Sequence, residues 1–406
     1  MANYKFEEIK GGVTAALGFS ASGVIAGIKP SNKTKRDVAL IFSEAPCAAA
    51  GTFTLNQVKA APVKVSQKHI KSDRIFAIAA NSGNANACTG IQGIRDAQAM
   101  TQAAAEALGI KKNQVLVCST GRIGVPLPMD RLIAGLKKAV NRISRDGSRD
   151  AAEAIMTSDT CRKEFALRLL VHGKRVTIGG IAKGAGMIDP NMATMLCFIT
   201  TDARIDKATL QSCLSAAVDQ SFNSMTIDGD MSTNDTVLLL ANGQAENDPL
   251  TRHHPDMPKF QEALNLLTRK LARMIVRDGE GISKVVELTV TGARNNRDAR
   301  LAAEAVANST LVKCSWCGED PNWGRLMDAI GYSGAEVREE HVDIYYEGMC
   351  LVQSGTLVKK PPLTKIRKLV QRDSFSITLN LNLGQGIHTV YTTDLTEKYV
   401  ELNRGE

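Results

Sequence analysis

The apolar residues of the chain recur at two spacings, one typical of amphipathic helices and one typical of strands. Helical spacing predicts helices over residues 95–108, over 130–143 with Asp130 as the capping residue, and over 260–276. Short runs rich in β-branched residues predict ten strands, over residues 38–42, 75–80, 114–118, 167–171, 175–181, 195–200, 236–240, 285–290, 342–346 and 374–381. Because helices and strands mix along the whole sequence, we expect a layered α/β (α+β) architecture.

The amino-acid composition limits which classes of protein are possible. With 406 residues and 44% apolar content, the chain is long enough to bury a large core in two or three compact units. The formal net charge is +8, but aromatic residues make up only 4% and the basic residues do not gather in a tract. These features exclude nucleic acid as a partner and favour small anionic ligands.

The same sequence indicates a compartment. No stretch approaches the roughly 18 consecutive apolar residues of a membrane span. The first thirty residues have the pattern of neither a signal peptide nor a transit peptide. Nine cysteines, an odd number spread widely, fit reduced thiols better than a disulfide framework. We therefore expect a cytoplasmic protein without a membrane partner.

The segment KGAGMIDPNMATML, residues 183–196, carries the strongest chemical signal. A cut between Ala193 and Thr194 would give Thr194 a free α-amine, and an amine with a pKa of about 8 can take the proton of the neighbouring hydroxyl near neutral pH. The glycines and proline of residues 184–190 predict a bent, exposed loop in front of the strand at 195–200. The alternative is an ordinary loop that enters a core strand.

Other polar clusters have weaker signals. Ser119-Thr120-Gly121 follows a predicted strand, so it is either an oxyanion-binding turn or a plain strand exit. The cluster at 228–235 resembles a calcium-binding EF-hand loop, but its spacing is wrong, and a tight hydrogen-bonded loop is the better interpretation. Glu280 stands between two glycines after the helix at 260–276, where it either meets a cationic ligand or belongs to a helix cap.

Metal and nucleotide sites find little support. Cys314 and Cys317 form an isolated CxxC, for which packed thiols are the expectation. The six histidines lack metal-ligand spacing. His253 and His254 are adjacent, and the others lie far from one another in the sequence. The KGAG segment lacks the Lys-Ser/Thr ending of a phosphate-binding P-loop. We therefore predict no metal site and no nucleotide-binding loop.

Seven ordered motifs together resemble the ornithine acetyltransferase (ArgJ) family. They are GGVTAALGF at 11–19, NSGNANACTG at 81–90, STGRIG at 119–124, KGAGMIDPNMATML at 183–196, FNSMTIDGDMSTNDT at 222–236, GEDPNWGR at 318–325 and DLTEKYVELN at 394–403. The resemblance implies a DmpA/ArgJ-like fold, in which helices sandwich β-layers and the precursor cuts itself into two chains. The α chain would be residues 1–193, and the β chain would be residues 194–406.

The resemblance also implies roles for particular residues. Thr194 would be the nucleophile and, through its freed amine, the base, while Thr120 and Gly121 would form the oxyanion hole. Substrate contacts would fall on Thr157, Lys183, Thr194, Glu280 and Asn403. One departure is the sequence after Asn403, which lacks the family's usual final substrate contact.

The activity implied is transfer of an acetyl group from N2-acetylornithine to glutamate in a ping-pong cycle, without a metal or organic cofactor. Acetyl-CoA stays open as a second acetyl donor, and pairs of αβ units (α2β2) or a larger assembly are expected. Residues 1–193 hold 27 Lys+Arg and 14 Asp+Glu, a net charge of +13 against −5 for residues 194–406, so the two chains would attract each other. Two alternatives are an N-terminal-threonine amidohydrolase or aminopeptidase on the same scaffold and an uncut amino-acid-binding protein.

Overall fold

The computed structural model describes residues 4–29, 34–189 and 195–404. It contains two compact units. The first unit comprises Met1–Gly184, Asn191–Asn223 and Met231–Ile275, and the second comprises Ala185–Pro190, Ser224–Asp230 and Val276–Glu406. The proposed α and β chains are covalent pieces, whereas these units are defined by packing, so sequence from both sides of position 193 contributes to the first unit.

A nine-stranded mixed sheet forms the centre of the first unit. Its strand order is β1-β6-β7-β8-β9-β3-β4-β5, and β2 pairs with β3. The strands are β1 (Glu7–Ile9), β2 (Phe19–Val24), β3 (Val38–Phe53), β4 (Ile75–Asn81), β5 (Val115–Ser119), β6 (Lys163–Val171), β7 (Lys174–Lys183), β8 (Leu196–Thr201) and β9 (Thr236–Ala241).

The long strand β3 connects two β-layers. Its first part pairs with β4 and its last part with β9, with a shift in register between Phe42 and Cys47. The layers pack face to face, since one hydrophobic cluster contains Ile41 and Leu116 from one layer and Phe198 and Leu238 from the other. Strands buried on both faces need apolar side chains at successive positions, which explains their unbroken apolar runs.

Helices cover the outer faces of these layers. Val38, Leu40 and Val117 pack under α1, α2 and α3, whereas Leu271 of α6 lies over Gly180 of β7, where a Cβ would be 3.1 Å from its Cδ1. The predicted arrangement of β-layers sandwiched by helices is therefore confirmed. The helices of this unit are α1 (Ala61–His69), α2 (Gly90–Leu108), α3 (Met129–Val140), α4 (Ser148–Ala154), α5 (Lys207–Asp219) and α6 (Met257–Arg277).

The second unit contains a six-stranded sheet in the order β13-β12-β11-β14-β10-β15. Its core joins strand residues such as Leu288 and Ile377 to helix residues such as Ala303 and Trp316. The strands are β10 (Val285–Ala293), β11 (Asp343–Tyr346), β12 (Met349–Gln353), β13 (Thr356–Leu357), β14 (Ser374–Asn380) and β15 (Gly386–Thr393). The helices are α7 (Asn296–Asn308), α8 (Thr310–Cys317), α9 (Trp323–Gly331), α10 (Leu363–Val370) and α11 (Glu397–Leu402).

All ten predicted strands and all three predicted helices are present, with shifted bounds. The predicted capping role of Asp130 is wrong, because Pro128 occupies the N-cap position and Asp130 lies in the first turn of α3. A carboxylate there still interacts favourably with the positive end of the helix. No helix within the described part of the chain is both long enough and apolar enough to cross a bilayer.

Candidate active site

The Ser119-Thr120-Gly121 turn lies at the end of β5, as the sequence predicts. The Thr120 N–H donates to the Asn81 carbonyl oxygen at 3.0 Å, so this backbone donor is already in use. The buried Thr120 Oγ1 accepts from Lys183 Nζ at 3.4 Å. Because the hydroxyl accepts from an ammonium group, its own hydrogen is directed elsewhere and is available to a developing oxyanion.

Gly121 allows another loop to approach this turn closely. Its φ is +131°, and a Cβ at this position would lie 2.4 Å from the carbonyl carbon of Gly83 and 2.5 Å from the nitrogen of Asn84. Any other residue would therefore push the 83–84 backbone away from the turn. The local structure thus requires glycine here, while the oxyanion role of Gly121 remains a prediction.

Asn234 holds the turn from the other side, and the sequence analysis missed it. Its buried Nδ2 donates to the carbonyl oxygens of Ala85 at 2.7 Å and Ser119 at 2.8 Å. It therefore connects the start of β9, the end of β5 and the loop after β4. The motif at 222–236 contained the signal, since an amide can bridge two backbone carbonyl groups, but the sequence does not reveal which strands converge there.

A buried carboxylate, Asp159, organises the basic side of this site. Its Oδ1 lies 2.7 Å from Lys163 Nζ, and its Oδ2 lies 3.9 Å from Lys183 Nζ. Burial alone raises the pKa of Asp159, but the Lys183 and Lys163 ammonium groups outweigh burial and lower that pKa to about 2. Asp159 is therefore ionised throughout the physiological range.

Asp159 also holds two neighbouring backbone segments. It accepts from the Thr157 N–H at 3.0 Å and from the Gly184 N–H at 2.7 Å. The structure thereby brings together Thr120, Lys183 and the backbone of Thr157, three of the predicted site residues.

The start of β8 lies beside this group. Lys183 of β7 is in register with Leu196 of β8, which is in register with Thr236 of β9. Met195, directly before β8, donates its N–H to Asp235 Oδ1 at 3.0 Å and accepts from the Thr236 N–H at 3.1 Å. The predicted cleavage residues Ala193 and Thr194 lie outside the described residues.

The loop that precedes the proposed cut is less exposed than predicted. Within residues 185–189, Ala185 and Ile188 are buried and Met187 is exposed. The Asp228 carboxylate accepts from the N–H groups of Met187 at 2.6 Å and Ile188 at 2.7 Å, and burial raises its pKa above the usual range. These bonds hold the loop, including Met187 at φ +58°, in place within the second unit. Within residues 228–235, the Asp230 N–H donates to Asp228 Oδ1 at 3.2 Å and the Asn234 N–H donates to Ser232 Oγ at 3.1 Å, so the predicted hydrogen-bonded loop is confirmed.

Glu280 and Asn403 meet within the second unit. Asn403 Nδ2 donates to Glu280 Oε2 at 3.1 Å, and the Glu280 N–H donates to the Ala185 carbonyl oxygen at 2.9 Å. A Cβ at Gly186 would lie 2.5 Å from Glu280 Oε2, so glycine is needed for this carboxylate to approach the loop. The two predicted substrate contacts of this unit therefore lie side by side, although their binding role remains a prediction.

The structure corrects one interpretation of the cysteines and adds an observation on the histidines. Cys314 and Cys317 lie on α8, but Cys314 is exposed, because Val312 and Trp316 are the residues of this helix that pack in the core. The structure also brings His172, His254 and Asp248 together, with ligand atoms within 4.8 Å of one another. This occurs because loops distant in sequence meet.

The chemistry of this cluster fits an ion pair better than a metal site. His172 Nδ1 lies 2.7 Å from Asp248 Oδ2, and this hydrogen bond raises the pKa of His172. His254 Nδ1 accepts from the Asp256 N–H at 3.1 Å, whereas an imidazole bound to a metal donates a hydrogen bond from its other nitrogen. The predicted absence of a metal site stays a prediction.

Known proteins match nearly the whole length of the chain. The sequence profile of the ArgJ family matches residues 20–405. The chain is similar to the arginine biosynthesis bifunctional protein ArgJ of Symbiobacterium thermophilum, with 49% identity over 98% of each chain. It is similar to the protein of the same name from Caldanaerobacter subterraneus, with 44% identity over 98% of each chain.

A solved structure gives a further comparison. The crystal structure of the arginine biosynthesis bifunctional protein ArgJ from Bacillus halodurans has 42% identity and a TM-score of 0.50, and the match covers 52% of this chain and 98% of that chain. Because the family profile and the curated relatives both extend over nearly the whole sequence, this chain belongs to the ArgJ family.

Proposed function

We propose that the chain cuts itself between Ala193 and Thr194 and then moves an acetyl group from N2-acetylornithine to glutamate through an acetyl-Thr194 intermediate. The chain is an acetyltransferase of arginine biosynthesis, in keeping with its family and with the shared name of its curated relatives. Thr194 would carry out both the acid–base and the nucleophilic chemistry, and the residues around it would bind the substrates.

The observation that carries this proposal is the contact between Thr120 Oγ1 and Lys183 Nζ at 3.4 Å beside the start of β8. Attack on an acetyl carbonyl group creates an oxyanion that needs hydrogen-bond donors fixed in advance. The Thr120 hydroxyl, polarised by the ammonium group, supplies one donor. Gly121 would supply the second through its N–H.

Two observations support the cut. The Bacillus halodurans chain is matched over 98% of its length, yet it covers 52% of this chain, and the proposed β chain also makes up just over half of the sequence. In addition, β8 pairs with β7 through six residue pairs, from Ile178↔Thr201 to Lys183↔Leu196. This pairing would keep the α and β chains together after cleavage, as would their opposite net charges.

The acetyl transfer takes place in two half-reactions, one for each substrate. The Thr194 amine takes the hydroxyl proton while Oγ attacks the acetyl carbon, and the C–N bond of acetylornithine then breaks as its nitrogen receives that proton. Ornithine leaves, and the amine of glutamate attacks the acetyl ester. The Thr194 amine takes the proton that the glutamate nitrogen loses and passes it to Oγ as the C–Oγ bond breaks, and N-acetylglutamate leaves.

The charges of the substrates and of the site residues indicate which residue binds which substrate group. Lys183 is the cation proposed for the substrate α-carboxylate, and the Glu280–Asn403 pair is proposed for the cationic end of ornithine. Thr157 is proposed as a further contact. The mechanism needs no metal or organic cofactor. Acetyl-CoA as a second donor and an α2β2 or larger assembly remain parts of the proposal.

Replacement of Thr194 tests the proposal directly. Thr194→Ala should abolish both the cut and the transfer, whereas Thr194→Ser, which keeps a hydroxyl and an amine, should retain both at reduced rate. The products should be N-acetylglutamate and ornithine, measured by mass spectrometry with and without glutamate. Acetyl transfer by Thr194→Ala would contradict the mechanism, and free acetate as the main product in the presence of glutamate would favour an amidohydrolase.

A further inference from the structure

The self-cleavage step needs a group that the transfer step does not. Before the cut, the nitrogen of Thr194 is part of a peptide bond, and an amide nitrogen has no basic lone pair with which to take the hydroxyl proton. The same nitrogen must gain a proton when its bond to Ala193 breaks. A separate proton-transfer group near the start of β8 would meet both needs.

The Asp235 carboxyl group forms a hydrogen bond with Met195, the residue that directly follows Thr194 in the sequence. Its Oδ1 accepts the Met195 N–H at 3.0 Å, and the Met195 nitrogen is three bonds away from the nitrogen of residue 194. The Asp235 side chain is fully buried. Its Oδ2 has no hydrogen-bond partner among the described residues, which is rare for a buried carboxyl oxygen.

The surroundings of Asp235 favour a carboxyl group that holds a proton. Burial raises its pKa well above the usual range, against the opposing effects of the Met195 N–H, the Lys183 ammonium group and the nearby Ser232 and Thr54 hydroxyl groups. The nearby Thr54 hydroxyl donates to the Ser232 carbonyl oxygen at 2.7 Å and is therefore occupied. Burial of the group and the lack of a hydrogen bond to Oδ2 from the described residues both favour the protonated form of Asp235.

We propose that the Asp235 carboxyl group is the proton-transfer group of self-cleavage. This inference rests on the proposed function, because it requires Thr194 to be the nucleophile. The mature enzyme would no longer depend on Asp235 for proton transfer, since the freed amine of Thr194 then serves as base.

The step balances without any additional reactant except water. Thr194 Oγ forms a bond to the Ala193 carbonyl carbon, the carbon–nitrogen bond breaks, and the nitrogen receives the Asp235 proton. The Asp235 carboxylate then takes the proton released by Oγ and returns to its starting state. Water adds to the resulting ester, the C–Oγ bond breaks, and Ala193 becomes a carboxylate while Thr194 becomes a free N-terminus.

The test compares the full-length wild type with Asp235→Asn. Asparagine matches the protonated carboxyl group in shape and keeps an oxygen for the Met195 N–H, but it does not transfer a proton. We expect self-cleavage, followed by denaturing gels and intact-mass measurement, to slow by about 10²–10⁴-fold. Acetyl transfer per cut chain should stay within a few-fold of the wild type.

Asp202→Asn is the matched control. Asp202 follows the opposite end of β8, is buried, and accepts the N–H groups of Thr177 at 2.7 Å and Leu17 at 3.0 Å. Burial raises its pKa as well. Because this change disturbs two backbone hydrogen bonds, it perturbs the strand at least as much as Asp235→Asn does, yet cleavage should proceed at nearly the wild-type rate.

Hydroxylamine separates a proton-transfer role from a role in later hydrolysis, because it cuts esters and leaves amides intact. We expect it to leave the Asp235→Asn precursor uncut, since the ester does not form. Prompt cutting by hydroxylamine, cleavage of Asp235→Asn at the wild-type rate, or equal slowing in Asp202→Asn would overturn the inference. A wild type that is active but uncut would overturn the proposed function instead.

Discussion

Two buried aspartates in the first unit show how neighbours decide the state of the same carboxyl group. Asp159 lies against two lysines, and its pKa is lowered to about 2. Asp235 has one backbone donor and an uncommitted oxygen, and burial raises its pKa well above the usual range. Both are almost inaccessible to solvent, so burial alone does not predict the charge.

Because their pKa values are shifted in opposite directions, Asp159 and Asp235 suit different roles. Asp159 is a fixed negative charge that positions Lys183 and the Thr157 backbone, and removing that charge would leave buried ammonium groups uncompensated. Burial favours the neutral form of Asp235, and the proposed role in self-cleavage requires that its proton be exchangeable. Near the ends of β7, β8 and β9, a single sheet thus holds one carboxyl group with a lowered pKa and one with a raised pKa.

The largest expected effect comes from Asp159→Asn. It should destabilise the protein by about 3–5 kcal/mol, because Lys163 and Lys183 lose their buried counter-charge. Asp235→Asn should cause no comparable loss, since burial favours the neutral form of Asp235, which asparagine resembles. The measurement is urea unfolding in a Thr194→Ala background, which keeps the chain in one piece. Equal destabilisation by both changes would remove the proposed distinction.

A smaller effect is expected from Thr120→Val, which removes the hydroxyl that accepts from Lys183 and keeps the side-chain shape. Loss of one oxyanion donor should lower kcat of the cut enzyme by about 10²–10³-fold. Thr101→Val, at a buried threonine in α2, is the control and should leave kcat nearly unchanged. An unchanged kcat in Thr120→Val would exclude this hydroxyl from the oxyanion hole.

The third effect is on acid stability. The pKa of Asp159 is about 2 in the folded state and about 3.9 in an unfolded chain, so its ionised form contributes about 2–3 kcal/mol above pH 4. This contribution is lost as the pH falls from about 4 to 2, and Asp159→Asn should abolish the loss. The raised pKa of Asp235 acts in the opposite direction, since acidification towards pH 4 should stabilise the protein relative to Asp235→Asn.

Unfolding free energies at several pH values check this contrast. Differences between each variant and its parent cancel the contributions of other titrating groups. The two differences should have opposite slopes with pH, and slopes of the same sign would contradict the assigned protonation states.

The sequence was most informative where a pattern is local. Runs buried on both faces, such as Val115–Ser119, identified the central strands. The Thr120 turn and Lys183 were recognised because motifs mark them. The strand Phe19–Val24 was missed because its residues FSASGV are small and partly polar, although all six are buried.

Contacts between segments that are distant in the sequence could not be predicted from the sequence. Asn234 bonds to Ser119 across a separation of 115 residues, and Asp159 bonds to Gly184 across 25. The charge state of Asp235 depends on burial by strands that no local pattern specifies. The sequence therefore predicts which residue types take part in the site. Which residues form hydrogen bonds with each other, and which carboxyl groups are protonated, depends on the fold.

The central claim is that the peptide bond between Ala193 and Thr194 breaks in the active enzyme. Intact-mass spectrometry of purified protein, with acetyl transfer from acetylornithine to glutamate measured on the same sample, tests it most directly. Our account predicts two polypeptides that end at Ala193 and begin at Thr194, with activity in proportion to their amount. Full activity in a sample that contains only the uncut 43.6 kDa chain would contradict it.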